Sequence, residues 1–414
     1  MKNYLYLALL VSLSFACNTN KKSAIISPSN YETYAFKIQG HSWDTMPYRF
    51  SQYIQDSVLK EKGNQVTAWD YSYIGDIQKM HETWDIGASP YDSLTQEEIN
   101  NFKKYKAKNA FEYIIEQAKS HQVTIINEGH HMPQHRVFTT RLLEDLYAQG
   151  YRHLGMESYF TNNRLDSLLA INKQPMLQSG YYIKEPQFGN IVRQAYRIGY
   201  NVFGYESEGH SNGKEREIGQ ANNINKYIEE NPEGKVLLHC GFAHGAEGEY
   251  GGSWERTMAA RLTEFTGIDP LTITQTKYSE KSEFRLENPY YQLVDVIEPT
   301  IYVDDSETVF GRNFREGSYF DIAVFHPRSK ENRRPAWMLF NSRQIHEFDF
   351  SNAEIEFPCL VLAYLEGEDI GKAVPYDIQE SLDRKAKLVL EEGSYNIILW
   401  NEANQALRIK YRAE

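Results

Sequence analysis

The feature that most limits the fold of this chain is a regular alternation of short apolar stretches with longer amphipathic ones. Five β-branched or aromatic stretches are predicted to be strands: 123–127, 152–157, 200–206, 235–241 and 271–276. The intervening and preceding segments have helical patterns, at 107–120, 134–149, 162–172, 187–199, 214–230 and 253–266. Strands that alternate with helices at this spacing are typical of a mostly parallel sheet with helices on both faces. The sequence therefore predicts an α/β fold.

Two further regions complete the predicted architecture. Residues 319–326 are expected to return as a strand of the same sheet, and beyond about 345 short strands and turns replace the helical pattern. The length of 414 residues is enough for roughly two domains. We therefore predict an α/β domain with an N-terminal extension over 31–345, and a small C-terminal β domain or appendage over 346–414.

The first residues have the form of a targeting signal. Lys2 precedes an apolar stretch, 4–15, that is too short to span a bilayer as a mature helix. The stretch ends at Ala16-Cys17, which resembles a bacterial lipoprotein cleavage box. Residues 1–17 are thus predicted to be a lipoprotein signal with Cys17 as the lipidated residue, and 18–30 a polar tether. The alternative is an ordinary secretory signal with an incidental cysteine. The lipid would anchor the protein to a membrane of the bacterial cell envelope, outside the cytoplasm.

Charge and missing motifs narrow the range of functions. The net charge of −12 argues against a nucleic-acid partner, because phosphate binding needs clustered lysine and arginine. The sequence contains no GxSxG, HExxH or Walker motif, and no GxGxxG that follows a predicted strand. Since no nucleophile is evident, we expect water to be the attacking group, activated by a histidine or by a bound metal.

Acidic residues and a histidine collect where the predicted strands end. Glu128, Glu157 and Glu206 each close or follow a strand, and His244 lies in the glycine-flanked loop after 235–241. In an open parallel sheet, ligands bind outside the carboxyl ends of the strands, so these segments should meet at one edge. A single strand-terminal acid often caps a helix, but four such segments in succession predict a site.

The stretch "NEGHHMPQHRVFTTRLLEDL", 127–146, resembles the ChaN-like branch of the superfamily that also contains erythromycin esterases and the TIKI/TraB proteins. In that branch a glutamate, one residue and a histidine precede a proline and a second histidine, here Glu128, His130, Pro133 and His135. Erythromycin esterases space the first pair by three, which would select His131, so both histidines stay open. The resemblance covers about 107–345. Its other matches are Glu157, Arg216, Glu217, Ala221, Asn223, Ile224, Gly241 and His244.

The resemblance implies three kinds of activity. Erythromycin esterases hydrolyse an ester with a histidine-activated water and no metal, TIKI proteins are metal-dependent proteases, and ChaN is a haem-binding lipoprotein. We expect an extracytoplasmic hydrolase that acts on an ester-like or related small molecule without a cofactor. The alternative is a lipoprotein that binds haem or a divalent metal without catalysis.

The candidate residues have the following expected roles. Glu128 and Glu157 orient the base, which is His130 or His131, and His244 helps to bind or protonate the substrate. Three further residues are expected to bind the substrate, namely Arg141, Glu206 and Arg216. His135 and His239 are expected to be structural. With a neutral histidine as the base and no tightly bound metal, activity should rise with pH through the histidine range near ~6.5.

Overall fold

The computed structural model describes residues 25–37, 48–61, 65–157, 173–180, 182–209, 212–329 and 334–414. The predicted signal with Cys17, most of the tether and the predicted helix 162–172 lie outside the described residues. They remain predictions from the sequence. In the part of the chain that the structure describes, no helix is long and apolar enough to cross a membrane.

A set of short helices precedes the main sheet. Its elements are β1 (Glu32–Thr33), α1 (Ser51–Glu61), α2 (Gln65–Tyr73), α3 (Ile77–Trp84) and α4 (Gln96–Phe102). The carboxylate of Asp76 accepts a hydrogen bond from the N–H of Lys79 and so caps the start of α3. Thr95 and Glu98 form a capping box at the start of α4. These local signals fix where both helices begin.

The α/β body follows. Its elements are β2 (Lys106–Asn109), α5 (Ala110–Ala118), β3 (Val123–Glu128), α6 (Pro133–Ala148), β4 (Tyr151–Met156), α7 (Pro186–Ile198), β5 (Asn201–Gly204), α8 (Lys214–Glu230), β6 (Lys235–Gly241), β7 (Glu247–Glu249), α9 (Met258–Thr266), β8 (Leu271–Tyr278), α10 (Pro289–Gln292), β9 (Thr300–Val303), β10 (Gly317–Tyr319) and β11 (Ile322–Phe325). Every residue of β3 is buried, as expected for a strand inside a parallel sheet. A proline opens α6 and α7, and a glycine at φ 114°, Gly199, closes α7.

Eight strands among the described residues form one sheet, in the order β2-β9-β11-β8-β3-β6-β4-β5. The six strands from β11 to β5 run parallel, whereas β9 is antiparallel to both of its neighbours. Side chains of β3 alternate between the two faces. Ile126 packs into the core that includes α5, α6 and α7, and Ile125 into the core that includes α8 and α9. The predicted α/β fold with helices on both faces is confirmed.

The last part of the chain is antiparallel. It contains β12 (Gln344–Asp349), β13 (Cys359–Leu365), β14 (Asp377–Ser381), β15 (Lys385–Leu390), β16 (Gly393–Asn401) and β17 (Ala406–Ala413). One sheet has the order β1-β17-β16-β13-β14, and β12 pairs with β15. Val361 and Ile397 belong to a core within this β unit. On the other face, Leu362 and Trp400 join the same core as α1, α3 and α7. The predicted C-terminal β structure is therefore present, and it shares a core with the body.

Candidate functional site

The carboxyl ends of neighbouring strands bring most of the predicted site residues to one edge of the sheet. Glu128 closes β3, Glu157 follows β4, and Glu206 lies shortly after β5. Strand β6 is inserted between β3 and β4, and its last residue, Gly241, pairs in register with Glu128. His244 lies in the turn that follows. The order of the strands departs here from their order in the chain, which is the usual position of a ligand site in an α/β sheet.

The carboxylate of Glu128 is the centre of a first polar group. It accepts two hydrogen bonds from Arg136, 2.7 Å from Nε and 2.8 Å from Nη2. The same oxygens lie 2.9 Å from Nδ1 of His130 and 2.9 Å from Nε2 of His239. Nη1 of Arg136 also donates to Glu185 over 3.1 Å. We refer to Glu128, His130, Arg136, Glu185 and His239 as the Glu128 group.

Electrostatics keep the Glu128 carboxylate charged although it is buried. Burial alone would raise its pKa, but the charge of Arg136 and the hydrogen bonds from Arg136, His130 and His239 hold the pKa well below its usual value. A charged carboxylate at Nδ1 of His130 keeps the hydrogen on that nitrogen. In the neutral ring, Nε2 then carries the lone pair.

Nε2 of His130 faces the end of β6. The ring stacks on Tyr182, with 3.8 Å between ring centres, and meets Phe242 edge-on at 5.0 Å. A Cβ built on Gly241 would lie 2.5 Å from Nε2 and 3.1 Å from Oε2 of Glu157, so only glycine leaves room for the ring here. Nε2 makes no hydrogen bond to any residue that the structure describes. It is therefore available to a water molecule or a substrate.

Arg216 connects the members of a second polar group. Its Nη2 lies 2.5 Å from Oε1 of Glu157 and 2.5 Å from Oε2 of Glu206. The other oxygen of Glu157 accepts a hydrogen bond from the N–H of Gly241. Burial opposes the charge of Glu157, but His244 and Arg216 outweigh it and lower its pKa to about 2. We refer to Glu157, Glu206, Arg216, Glu217 and His244 as the Glu157 group.

His244 has hydrogen-bond partners in both of its protonation states. Its Nδ1 lies 2.9 Å from Oε2 of the fully buried Glu217. Its Nε2 lies 2.8 Å from Nη1 of Arg216 and 3.3 Å from Oε1 of Glu157. A neutral ring accepts a hydrogen from the arginine, and an imidazolium donates to Glu157. Burial disfavours the charged ring, but the carboxylates of Glu157 and Glu217 outweigh burial and raise the pKa of His244.

The two adjacent histidines of the motif have different surroundings. The structure pairs His130, and not His131, with the Glu128 carboxylate. The ring of His131 stacks on Trp84 at 3.7 Å, and its buried Nδ1 has no hydrogen-bond partner among the described residues. Burial holds the pKa of His131 well below its usual value, so the ring stays neutral. The nearby His135 is also buried and engaged, since its Nε2 lies 3.0 Å from the hydroxyl of Ser279.

Arg141 is not brought to the strand ends, although the sequence predicts that it binds the substrate. Its guanidinium lies 4.1 Å from the ring centre of Phe111, beside a separate cleft. The reason is helical geometry. Arg136 points from α6 towards Glu128, and five residues further along are about 1.4 helical turns, so Arg141 leaves the helix on another face.

Sequence reasoning missed the roles of Arg136, Glu185 and His239. His239 was expected to be structural, yet it contacts Glu128 over 2.9 Å. The register shows the missed signal, because Glu128 pairs with Gly241, and His239 lies two residues earlier on the same face of β6. Glu185 caps α7 and meets Arg136 only through tertiary packing. No local pattern distinguishes Arg136 from a surface arginine of α6.

The residues at this edge do not fit a metal ion. Among the described residues, no three His, Cys, Asp or Glu side chains are grouped as ligands. The carboxylates of Glu128 and Glu157 already accept hydrogen bonds from Arg136 and Arg216. The guanidinium beside each carboxylate would also repel a cation.

A haem group does not fit His130 either. The backbone of Gly241 lies close to Nε2, Tyr182 covers one face of the ring, and the His130 side chain is only 11% exposed. A porphyrin centred on Nε2 needs a flat open slot at that position. We therefore derive no step that involves a metal or a haem.

No protein-family model and no curated protein match the chain. Solved structures resemble it distantly. The type III effector HopBA1 has a TM-score of 0.33 and 12% identity, with 54% of this chain and 96% of that chain covered. ChaN of Campylobacter jejuni, in a structure with cofacial haem, has a TM-score of 0.31 and 13% identity, with 44% and 94% covered. RRSP, a MARTX toxin effector domain from Vibrio vulnificus, has a TM-score of 0.29 and 15% identity, with 50% and 45% covered. Similarity this low carries no argument about family or function.

Proposed function

We propose that this protein is a hydrolase in which His130 activates a water molecule that attacks an ester or a related acyl bond. The observation that supports the proposal is the arrangement of His130. Its Nδ1 faces a carboxylate that Arg136 and His239 hold in place, and its Nε2 has no hydrogen-bond partner among the described residues. A histidine oriented through one ring nitrogen and open at the other is the usual arrangement of a general base.

In the proposed first step, water lies between Nε2 of His130 and the acyl carbon of the substrate. Nε2 takes a proton from the water, and the oxygen forms a bond to that carbon. The hydrogen on Nδ1 stays with the ring, and the charge of Glu128 stabilises the imidazolium that forms. Arg136 keeps Glu128 charged throughout. No covalent bond to the enzyme is needed.

In the proposed second step, the bond to the leaving oxygen breaks and His244 supplies a proton. Burial opposes the charged ring, but the carboxylates of Glu157 and Glu217 raise the pKa of His244 and so favour a ring that holds a proton to donate. After the transfer, Nε2 of His244 accepts the hydrogen of Arg216 Nη1 instead, so the neutral ring keeps a partner. Arg216, which contacts His244, places a positive charge beside this step and would favour a developing oxyanion. The products are an acid and an alcohol, and solvent restores both histidines.

The charge of the site supports a neutral substrate. The carboxylates of Glu128, Glu157, Glu206 and Glu217 outnumber the two guanidiniums among them, so a phosphodiester or another anion is disfavoured. Aromatic rings border His130, with Trp69 edge-on at 6.0 Å and Tyr182 stacked. We therefore propose a neutral ester or lactone with an apolar part as the substrate class.

The test is turnover of neutral p-nitrophenyl esters, lactones, amides and an anionic phosphodiester by the full chain. We expect hydrolysis of esters or lactones but not of the phosphodiester. His130→Gln should lower kcat/KM by about 10²- to 10⁴-fold, the usual contribution of a general base. His131→Gln is the matched control, because the neighbouring ring contacts Trp84 and not Glu128, and it should retain activity within a few-fold.

Three results would contradict this proposal. One is the absence of turnover on the whole panel, and another is an equal loss in both histidine variants. The third is activity that a chelator abolishes and zinc restores. Titration of the protein with haem is a further experiment. A Soret shift that is seen in the wild type and lost in His130→Gln would favour the haem-binding alternative.

A further inference from the structure

A second cleft, distinct from the strand ends, lies between α6 and the segments around β9 and β11. Its volume is about 280 Å³. Val137, Phe138, Pro299 and Trp337 are among the residues that line it and make its walls largely apolar. Ile297, at its rim, is 86% exposed. The volume is close to the lower limit of small-molecule pockets, about 300 Å³.

Arg141 supplies a positive charge to this cleft. Its guanidinium carbon lies over the ring of Phe111, 4.1 Å from the ring centre, and Arg141 makes no hydrogen bond or ion pair with any residue that the structure describes. The charge of Glu298 acts on Arg141, but Oε2 of Glu298 already accepts a hydrogen bond from Asn109 over 2.9 Å. A stacked arginine with free N–H groups is a ready partner for a carboxylate.

His326 supplies a nitrogen that can accept a hydrogen bond and that no described residue donates to. Its Nε2 lies 3.0 Å from Oε1 of Gln275, and the amide nitrogen of Gln275 donates to the backbone oxygen of Asn127. Oε1 of Gln275 is therefore an acceptor, which places the ring hydrogen of His326 on Nε2 and the lone pair on Nδ1. That Nδ1 is fully buried and has no hydrogen-bond partner among the described residues. Burial lowers the pKa of His326 to about 3, so the ring does not gain a second hydrogen.

Gln134 adds a second acceptor. Its Nε2 donates to the backbone oxygen of Pro327 over 2.8 Å, which orients the amide at the edge of the cleft. Its oxygen has no hydrogen-bond partner in the described part of the chain. Among the residues that the structure describes, the cleft thus combines apolar walls with the unpaired Arg141 and the free oxygen of Gln134, and the buried Nδ1 of His326 lies behind its wall.

We propose that this cleft binds a small organic carboxylate whose apolar body carries an N–H or O–H donor. The carboxylate pairs with Arg141, and the donor reaches the free oxygen of Gln134 at the edge of the cleft. The apolar body lies against Phe138 and Trp337. The proposal concerns a site apart from the Glu128 group and does not depend on the proposed hydrolysis.

The test is binding of indole-3-acetate to the full chain by isothermal titration calorimetry. We expect a Kd of about 1 mM or tighter, given some 0.3 kcal/mol per non-hydrogen atom for a ligand of about 13 such atoms. Arg141→Gln should weaken binding by about tenfold or more. Arg152→Gln is the matched control, since Arg152 also lies over an aromatic ring, 4.0 Å from the centre of Tyr147, and does not line this cleft.

Two ligand analogues test the chemistry without changing the fold. 3-Methylindole lacks the carboxylate and 1-naphthaleneacetate lacks the donor, and both should bind several-fold more weakly than indole-3-acetate. Absence of indole-3-acetate binding at about ten times the expected Kd would overturn the proposal, since a site would then be more than 90% saturated. Equal affinity of wild type and Arg141→Gln, or equal affinity for the donor-free analogue, would overturn it as well.

Discussion

The two polar groups at the sheet edge use similar residues in different ways. In the Glu128 group, the side chains of Arg136 and Glu128 are 0% and 1% exposed, and the carboxylate has a fixed set of donors. In the Glu157 group, Arg216 is 15% and Glu206 28% exposed, and one guanidinium is shared by two carboxylates and a histidine. The first arrangement holds a ring in one orientation. The second allows His244 to change its protonation state, which suits an acid.

The largest expected difference between the groups is in stability. Arg136→Met leaves the buried charge of Glu128 without its main partner and should lower the free energy of unfolding by about 3–5 kcal/mol. Arg216→Met should cost less, about 1–2 kcal/mol, because Arg216 and Glu206 are partly exposed and His244 still faces the buried Glu157. Urea denaturation of both variants gives the comparison.

A second substitution checks the cause of the Arg136 effect. Glu128→Gln removes the charge that Arg136→Met leaves behind, so the double variant should recover part of the lost stability. If Arg216→Met is as destabilising as Arg136→Met, or if Glu128→Gln brings no recovery, the contrast between the two groups is wrong.

The next largest effect is expected on kcat/KM when Gly241, which lies between His130 and Glu157, is substituted. An added methyl group would lie 2.5 Å from Nε2 of His130 and push the ring from its position, so Gly241→Ala should lower kcat/KM by about 10- to 100-fold. Gly155→Ala is the control. Its methyl group would lie 2.6 Å from Leu238, away from both groups, so it should lower Tm with little change in kcat/KM. Equal losses of kcat/KM in Gly241→Ala and Gly155→Ala would mean that Gly241 matters only for packing.

The smallest expected effect is on the alkaline side of the pH profile. His244 acts as an acid while it is protonated, and its raised pKa extends that range upwards. The rate of the wild type should therefore fall as pH rises through this pKa. His244→Asn should be slower at neutral pH, by about tenfold or more, and should lack that fall. A variant that keeps the same alkaline fall would show that another residue is the acid.

The α/β part of the fold is well predicted by the sequence, because its strands and helices can be recognised from patterns among neighbouring residues. Period-two and period-3.6 patterns define β3, β4, β5, β6, β8 and their helices, and strand–helix alternation then implies a parallel sheet. The C-terminal β unit was expected as a domain or an appendage. The strand β13 shows what was missed, since all but its last residue are buried. Leu362 joins the main core and Val361 the core of the β unit, and such packing on both faces depends on the tertiary structure.

The site was predictable to the extent that its residues follow strand ends. Glu128, Glu157, Glu206 and His244 all lie at that edge, where Glu157 lies 3.3 Å from His244 and shares Arg216 with Glu206. The choice between the adjacent histidines was not predictable, because the turn after β3 decides which ring points at the carboxylate. Glu185 could not be found either, since it approaches through the packing of α7.

The most direct test of the account is the tautomer of His130. Long-range ¹H–¹⁵N NMR of the full chain labelled on its histidine rings, with the signals of His130 assigned by their loss in His130→Gln, reads it without any substrate. In the neutral ring we expect a hydrogen on Nδ1, a lone pair on Nε2, and a shift of the Nδ1 signal in Glu128→Gln. A hydrogen on Nε2 would contradict the account, because that nitrogen could then take no proton from water.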